Sequence, residues 1–255
     1  EVLKMSKRPV VLVVMDGVGI SDSEFGNAVK KAYKPTLDDL WENSPHTEIK
    51  AHGLAVGLPT DDDMGNSEVG HNALGCGQIY SQGAKLVNEN IETGEIFKTD
   101  TWSGLVNNCK DGKMHFLGLL SDGNVHSHIN HLKALIKKAK EDGVKEVRVH
   151  ALLDGRDVPE TSALTYVDDI EAYMAELNDD SFHACIASGG GRMTITMDRY
   201  EANWAMVEQG WHVHILGEGR EFASAREAIE TYRAETGVVD QDLPGFVITE
   251  DGKPV

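Results

Sequence analysis

Apolar and polar positions along this chain fall into two alternating rhythms. Residues 10–15 form a short, nearly continuous apolar run rich in β-branched side chains, the pattern of a parallel strand buried on both faces, and the run stops at Asp16-Gly17. Comparable runs recur at 114–120, 146–153, 182–187 and 211–216, each followed by a turn that carries glycine or charge. Between them the period lengthens to that of a helix. Leu132, Leu135, Ile136 and Ala139 share one face, as do Ala163, Val167, Ile170, Met174 and Leu177, and 224–236 reads as a further, charged helix. This alternation predicts an α/β protein with mainly parallel sheets, helices on both faces and right-handed crossovers, so that ligands gather at the carboxyl ends of the strands.

The rhythm breaks between residues 58 and 82, where Gly, Asp and Asn dominate, and 83–111 carries no strong strand signal. A domain boundary is therefore expected near Gln82. A chain of 255 residues accommodates one large or two moderate domains, and two are expected here. A formal charge of −18 disfavours nucleic-acid backbones and anionic membranes alike, so an acidic substrate would need a local cluster of arginines. Cys76, Cys109 and Cys185 are odd in number and widely spaced, which fits buried thiols in a reducing, cytoplasmic setting rather than disulfides or a zinc knuckle. No apolar stretch approaches the length that spans a bilayer.

Candidate chemistry lies in the turns. Gly65-Asn66-Ser67-Glu68-Val69-Gly70-His71 presents a serine between glycines at the start of a helix, where N–H groups and the helix dipole favour negative charge; the same serine could simply cap that helix. Asp16, at a strand's carboxyl end, is placed either to ligate a divalent cation or to form an ordinary Asp-Gly turn. A metal held by Asp16 would lower the pKa of a serine hydroxyl and make it a nucleophile. His126 arrives in Ser121-Asp122-Gly123-Asn124-Val125-His126-Ser127-His128, able to bond a phosphoryl oxygen or move a proton. The spacing of His126, His128 and His131 allows a metal site or a solvated helix start. Arg156 and Asp157, in Asp154-Gly155-Arg156-Asp157, offer an anion-binding guanidinium beside a proton-accepting carboxylate, or a surface ion pair. Gly189-Gly190-Gly191-Arg192, with Asp198-Arg199 close behind, suggests an anion site or a flexible turn.

Taken together, V-V-M-D-G at 13–17, M-G-N-S-E-V-G-H-N-A-L-G at 64–75, L-L-S-D-G-N-V-H-S-H at 119–128, L-L-D-G-R-D at 152–157 and G-G-G-R-M-T-I-T-M-D-R-Y at 189–200 resemble the 2,3-bisphosphoglycerate-independent phosphoglycerate mutases of the alkaline-phosphatase-like superfamily. The last motif is similar to its form in the plant, nematode and trypanosomatid branch. The resemblance implies an isomerase of glycolysis and gluconeogenesis that interconverts 3-phosphoglycerate and 2-phosphoglycerate through a phosphoserine. It implies two divalent metal ions, manganese first, with cobalt or magnesium as alternatives, and no 2,3-bisphosphoglycerate. A monomer without nucleic-acid or membrane partners is expected.

Carried over by position, Ser67 is the implied nucleophile and a metal ligand, and Asp16 a ligand of the same metal. His126, Arg156, Asp157, Arg192 and Arg199 are the implied substrate-binding set, with Asp157 also relaying a proton. Residues 1–82 would be the first segment of a discontinuous phosphatase-like domain that carries metal and nucleophile, and 83–255 most of an inserted phosphotransferase domain. Asn124 stands where a glycine is common in the family. Family members continue through an arginine-rich loop, a lysine and Asp and His metal ligands that do not occur here, so the polypeptide is expected to be incomplete and inactive alone. A metal-dependent phosphatase of the same superfamily and a non-catalytic phosphoglycerate-binding fragment are the competing readings.

Overall fold

The computed structural model describes residues 9–15, 17–198 and 201–255. The chain divides into two compact units, Glu1–Lys50 and Ala51–Val255. Among the described residues of the first unit there are two short helices, α1 (Ala28–Lys31), capped by the Asn27 side chain, and α2 (Pro35–Asn43), which opens on a proline where the missing N–H costs nothing. Residues 10–15 form no strand, contrary to expectation: Val10 is 94 % exposed and Val13 73 %. An apolar run becomes a buried strand only beside other strands, and no strand lies within the described part of this unit.

The second unit begins with a 3₁₀ turn (Gly53–Val56), α3 (Ser67–Cys76), α4 (Ala84–Glu92) and α5 (Asp100–Asn108). Then strand and helix alternate: β1 (Lys113–Leu119), α6 (Ile129–Glu141), β2 (Glu146–Leu153), α7 (Ala163–Leu177) and β3 (His183–Gly191). The chain closes with α8 (Trp204–Trp211), a π-helical turn (His212–Leu216), β4 (Arg220–Phe222), α9 (Ala225–Thr236), β5 (Phe246–Glu250) and β6 (Lys253–Pro254). The sheet order is β1-β2-β3-β5-β4, with β6 on β5. β1, β2 and β3 run parallel and β4 lies parallel to β5, while β5 is antiparallel to β3, so the sheet is mainly parallel as the alternation predicts.

Alternate strand residues define the core. Met114, Val147, Val149, Ala184 and Ile186 point to one face, where Ile136 of α6, Val167 and Ile170 of α7 and Ile229 of α9 bury against them. On the other face Leu119 and Leu152 pack with Ile195. The first three predicted strand runs of this unit and all three predicted helices are present. Cys109 and Cys185 are partly buried, but Cys76, at the outward end of α3, is exposed rather than buried.

Two expectations need correcting. The run at 211–216 is not a strand: α8 continues without a breaker into a π-helical turn that ends at Gly217 in the left-handed region. The turn buries Val213 and His214 and leaves Ile215 and Leu216 exposed. The glycines after Ala187 are not a turn either, because β3 runs on through Gly191. A Cβ on Gly189 would stand 2.5 Å from Phe246 Cζ and 2.7 Å from Ala151 O, and one on Gly191 would stand 2.3 Å from Gln241 O. The glycines are there because backbone and ring occupy the space of their side chains.

A chain of four polar side chains crosses the sheet face opposite α6 and α7. His115 Nδ1 lies 2.8 Å from His150 Nε2, His150 Nδ1 lies 2.7 Å from Ser188 Oγ, and Ser188 Oγ lies 2.7 Å from His214 Nδ1. A neutral imidazole offers one donor and one acceptor, and a hydroxyl offers both, so neutral rings bond head to tail. Burial pushes His150 down to about 3, helped by the neighbouring His214 and His115, and burial pushes His214 down to about 4. Unfolded, both rings take a proton near pH 6.5, which the folded state refuses; stability is therefore flat above that pH and falls below it. Unfolding free energy is expected to drop by about 3–4 kcal/mol between pH 7 and pH 5, a window above most carboxylate titration. Denaturant titrations at the two pH values test this, and a His214→Gln variant should lose about half of the drop. Equal stability at both pH values would exclude the mechanism.

Candidate active site

Parallel neighbours end on the same edge, so the loops after β1, β2 and β3 converge there. Asp154 is the anchor. Its Oδ1 accepts from the backbone N–H groups of Gly155, Arg156 and Asp157 at 2.9, 3.1 and 3.1 Å and from Arg192 Nη1 at 3.1 Å; its Oδ2 accepts from Ser121 Oγ at 2.7 Å. Only 3 % exposed, it would be driven up by burial, but the amide, hydroxyl and guanidinium donors outweigh that and hold it below the ordinary carboxylate range. One carboxylate thus joins all three strand ends. Sequence reasoning chose Arg156 and Asp157 from this motif and passed over Asp154, whose place directly after the last buried residue of β2 was the available signal.

Arg192 leaves β3 buried, 5 % exposed, and its Nη1 also donates to Asp157 Oδ2 at 2.7 Å. Its Nε is buried without a partner among the described residues. The same Asp157 oxygen lies 4.0 Å from His126 Nε2, on a side chain 45 % exposed. Gly123 makes this approach possible, since a Cβ there would stand 2.9 Å from Asp157 Cβ. His126, Asp157 and Arg192 are thus brought together, with Arg156 exposed on the same turn. His128 instead caps α6, its Nδ1 accepting from Asn130 N, and His131 Nε2 donates to Asn88 Oδ1. These bonds fit the helix-start reading of the three histidines.

Ser67 is the first residue of α3 and is exposed. The cap is Asn66, whose Oδ1 accepts from Val69 N at 2.9 Å. His71 Nδ1 lies 2.6 Å from Ser67 O and 3.3 Å from Ser67 Oγ. A carbonyl only accepts, so that nitrogen carries its proton and cannot take one from the serine. Asp16 and Arg199 lie outside the described residues. Among the described residues no three His, Cys, Asp or Glu side chains converge as metal ligands. No described helix is long and apolar enough to cross a membrane.

The family of BPG-independent PGAM N-terminus sequences matches residues 87–255. The probable 2,3-bisphosphoglycerate-independent phosphoglycerate mutase of Leptospira interrogans is 54 % identical over 99 % of this chain and 48 % of its own length. The corresponding mutase of Trypanosoma brucei brucei is 50 % identical over 98 % of the chain and 46 % of its own. A crystal structure of Leishmania mexicana phosphoglycerate mutase, determined at low cobalt concentration, superposes with a TM-score of 0.87 and 47 % identity, covering 95 % of this chain and 45 % of that one. The chain spans about half the length of the curated relatives it matches. Sharing about half its residues with these relatives along nearly all its length, the chain belongs to the 2,3-bisphosphoglycerate-independent phosphoglycerate mutase family.

Proposed function

We propose that the complete protein is a phosphoglycerate mutase in which Ser67 takes the phosphoryl group from 3-phosphoglycerate and returns it to the neighbouring hydroxyl to give 2-phosphoglycerate. The observation that carries this reading is the convergence of His126, Asp157 and Arg192 on one strand edge beside exposed Arg156. Guanidinium groups bind carboxylate and phosphate in a fixed fork, so Arg156, Arg192 and Arg199 hold the glycerate while it turns. Asp157, placed between the Arg192 guanidinium and the His126 imidazole, accepts the proton of whichever glycerate hydroxyl attacks and gives it back to the other. A phosphoserine at Ser67 is favoured by the N-terminal amides of α3.

The proposal includes two divalent ions, manganese first, with Asp16 and Ser67 as this chain's ligands; when bound, an ion lowers the pKa of the serine hydroxyl. It also includes a monomeric, cytoplasmic enzyme of glycolysis and gluconeogenesis, and the domain division at residue 82. The acidic charge of −18 supports the absence of nucleic-acid and membrane partners. The test is to supply 3-phosphoglycerate and manganese to a polypeptide of the relatives' full length that carries this chain. Accumulation of 2-phosphoglycerate is expected. Stoichiometric release of inorganic phosphate would replace the mutase with a phosphatase, and binding without a phosphoserine would leave a ligand-binding protein.

A further inference from the structure

Residues 51–83 are knitted into one small body around Val56, Leu58 and Val69. The Gln82 amide donates to Val56 O at 2.7 Å and Val69 O at 3.1 Å, Gly53 N donates to Asp63 O at 3.1 Å, and Gly65 N donates to His52 Nδ1 at 2.9 Å. Ser67 is carried by this body. Asp63, four residues before it, accepts from Thr60 N at 2.7 Å and Thr60 Oγ1 at 2.8 Å through Oδ2. Its other oxygen, Oδ1, accepts from Asn124 Nδ2 across 61 positions of sequence.

Asn124 is two residues before His126 and has φ +58, a conformation that glycine adopts freely and asparagine tolerates better than other residues. Asparagine here keeps the backbone shape that glycine would take and adds a donor. Burial raises the Asp63 carboxyl, but the bonds from Asn124 and Thr60 prevail and hold it below the usual range, so the bond is amide to carboxylate and charge-assisted.

We propose that the Asp63–Asn124 hydrogen bond is a clasp, with Asn124 a positioning residue, that sets the Ser67 body in register with the loop carrying His126. This rests on the mutase reading for its catalytic consequence and on geometry alone for its existence. Asn124→Gly removes the donor while keeping the backbone conformation. Asn124→Asp sets two carboxylates face to face. Asp63→Asn combined with Asn124→Asp exchanges donor and acceptor: the amide at position 63 would accept from Thr60 through its oxygen and donate through its nitrogen to the carboxylate at position 124.

The experiment is run on the full-length, metal-loaded polypeptide, with amide hydrogen exchange and phosphoglycerate kinetics measured side by side. In both single variants the amides of Thr60 and Asp63 should exchange faster and kcat should fall about tenfold, the scale of one charge-assisted hydrogen bond, with KM changed less than about twofold. The exchanged pair should recover both. A general loss of folding would not be repaired by a second substitution, so recovery isolates the pairwise contact. Unchanged exchange in Asn124→Asp, a parental kcat in both single variants, or a double variant no better than the singles would each overturn the clasp. If the parent moves no phosphate, the mutase reading fails, and exchange alone decides for or against the clasp.

Discussion

Ser67→Ala is expected to abolish phosphate exchange between the glycerate carbons, by roughly a thousandfold or more, while leaving stability within about 0.5 kcal/mol of the parent. The two halves of this expectation have separate origins. Activity falls because no other hydroxyl occupies the first position of α3, where the helix amides favour a bound phosphoryl group. Stability holds because the capping bond to Val69 N comes from Asn66 and not from the serine. Asn66→Ala is the matching control: it should cost about 1 kcal/mol through the cap. Mass spectrometry of enzyme quenched with 3-phosphoglycerate should find the added phosphoryl group on the peptide containing Ser67, and none in the alanine variant. Parental turnover in Ser67→Ala would sink the phosphoserine mechanism outright.

Asp154→Ala should give the largest loss of stability of any single change at the strand edge, about 3–5 kcal/mol. The removed carboxylate satisfies three backbone N–H groups, the Ser121 hydroxyl and Arg192 at once. Its loss leaves a guanidinium that is 5 % exposed with Asp157 as its remaining carboxylate, and a turn without the acceptor that shapes it. Asp154→Asn is expected to lose less, because its oxygen still accepts from the amides. Substrate affinity should fall in both, since Arg156 and Asp157 ride on the same turn. Denaturant midpoints and binding of 3-phosphoglycerate are the measurements; a midpoint within error of the parent would show that the anchor is dispensable.

Much of this was legible in the residues. The runs at 114–120, 146–153 and 182–187 are strands because apolar side chains alternate onto a helix-covered face, and the loops after them carry the motifs that point to chemistry. What sequence could not supply was the third dimension of packing. Residues 10–15 and 211–216 both read as strand runs, yet the first lies exposed with no partner strand among the described residues of its unit, and the second is a π-helical turn whose His214 bonds Ser188. The glycines after Ala187 read as looseness, but they mark the tightest contacts of the sheet. Asp154 and Asn66 were hidden for the same reason: each acts through backbone amides, and a string of letters does not show where amides point.

The close approach at the end of β3 has a consequence for the anion-binding role proposed for Arg192. Its own amide is tied to Leu153 O at 3.1 Å, and the amides on either side are tied to Leu243 O and Gln241 O, both at 2.9 Å. With bare backbone pressed against its neighbours before it, the residue has no main-chain latitude. Whatever entropy its guanidinium surrenders on meeting a ligand comes from side-chain torsions, already narrowed by two carboxylates. Under the proposed function, recognition there would start from a poised cation, and discrimination would follow from ligand shape and not from a loop adjusting to fit.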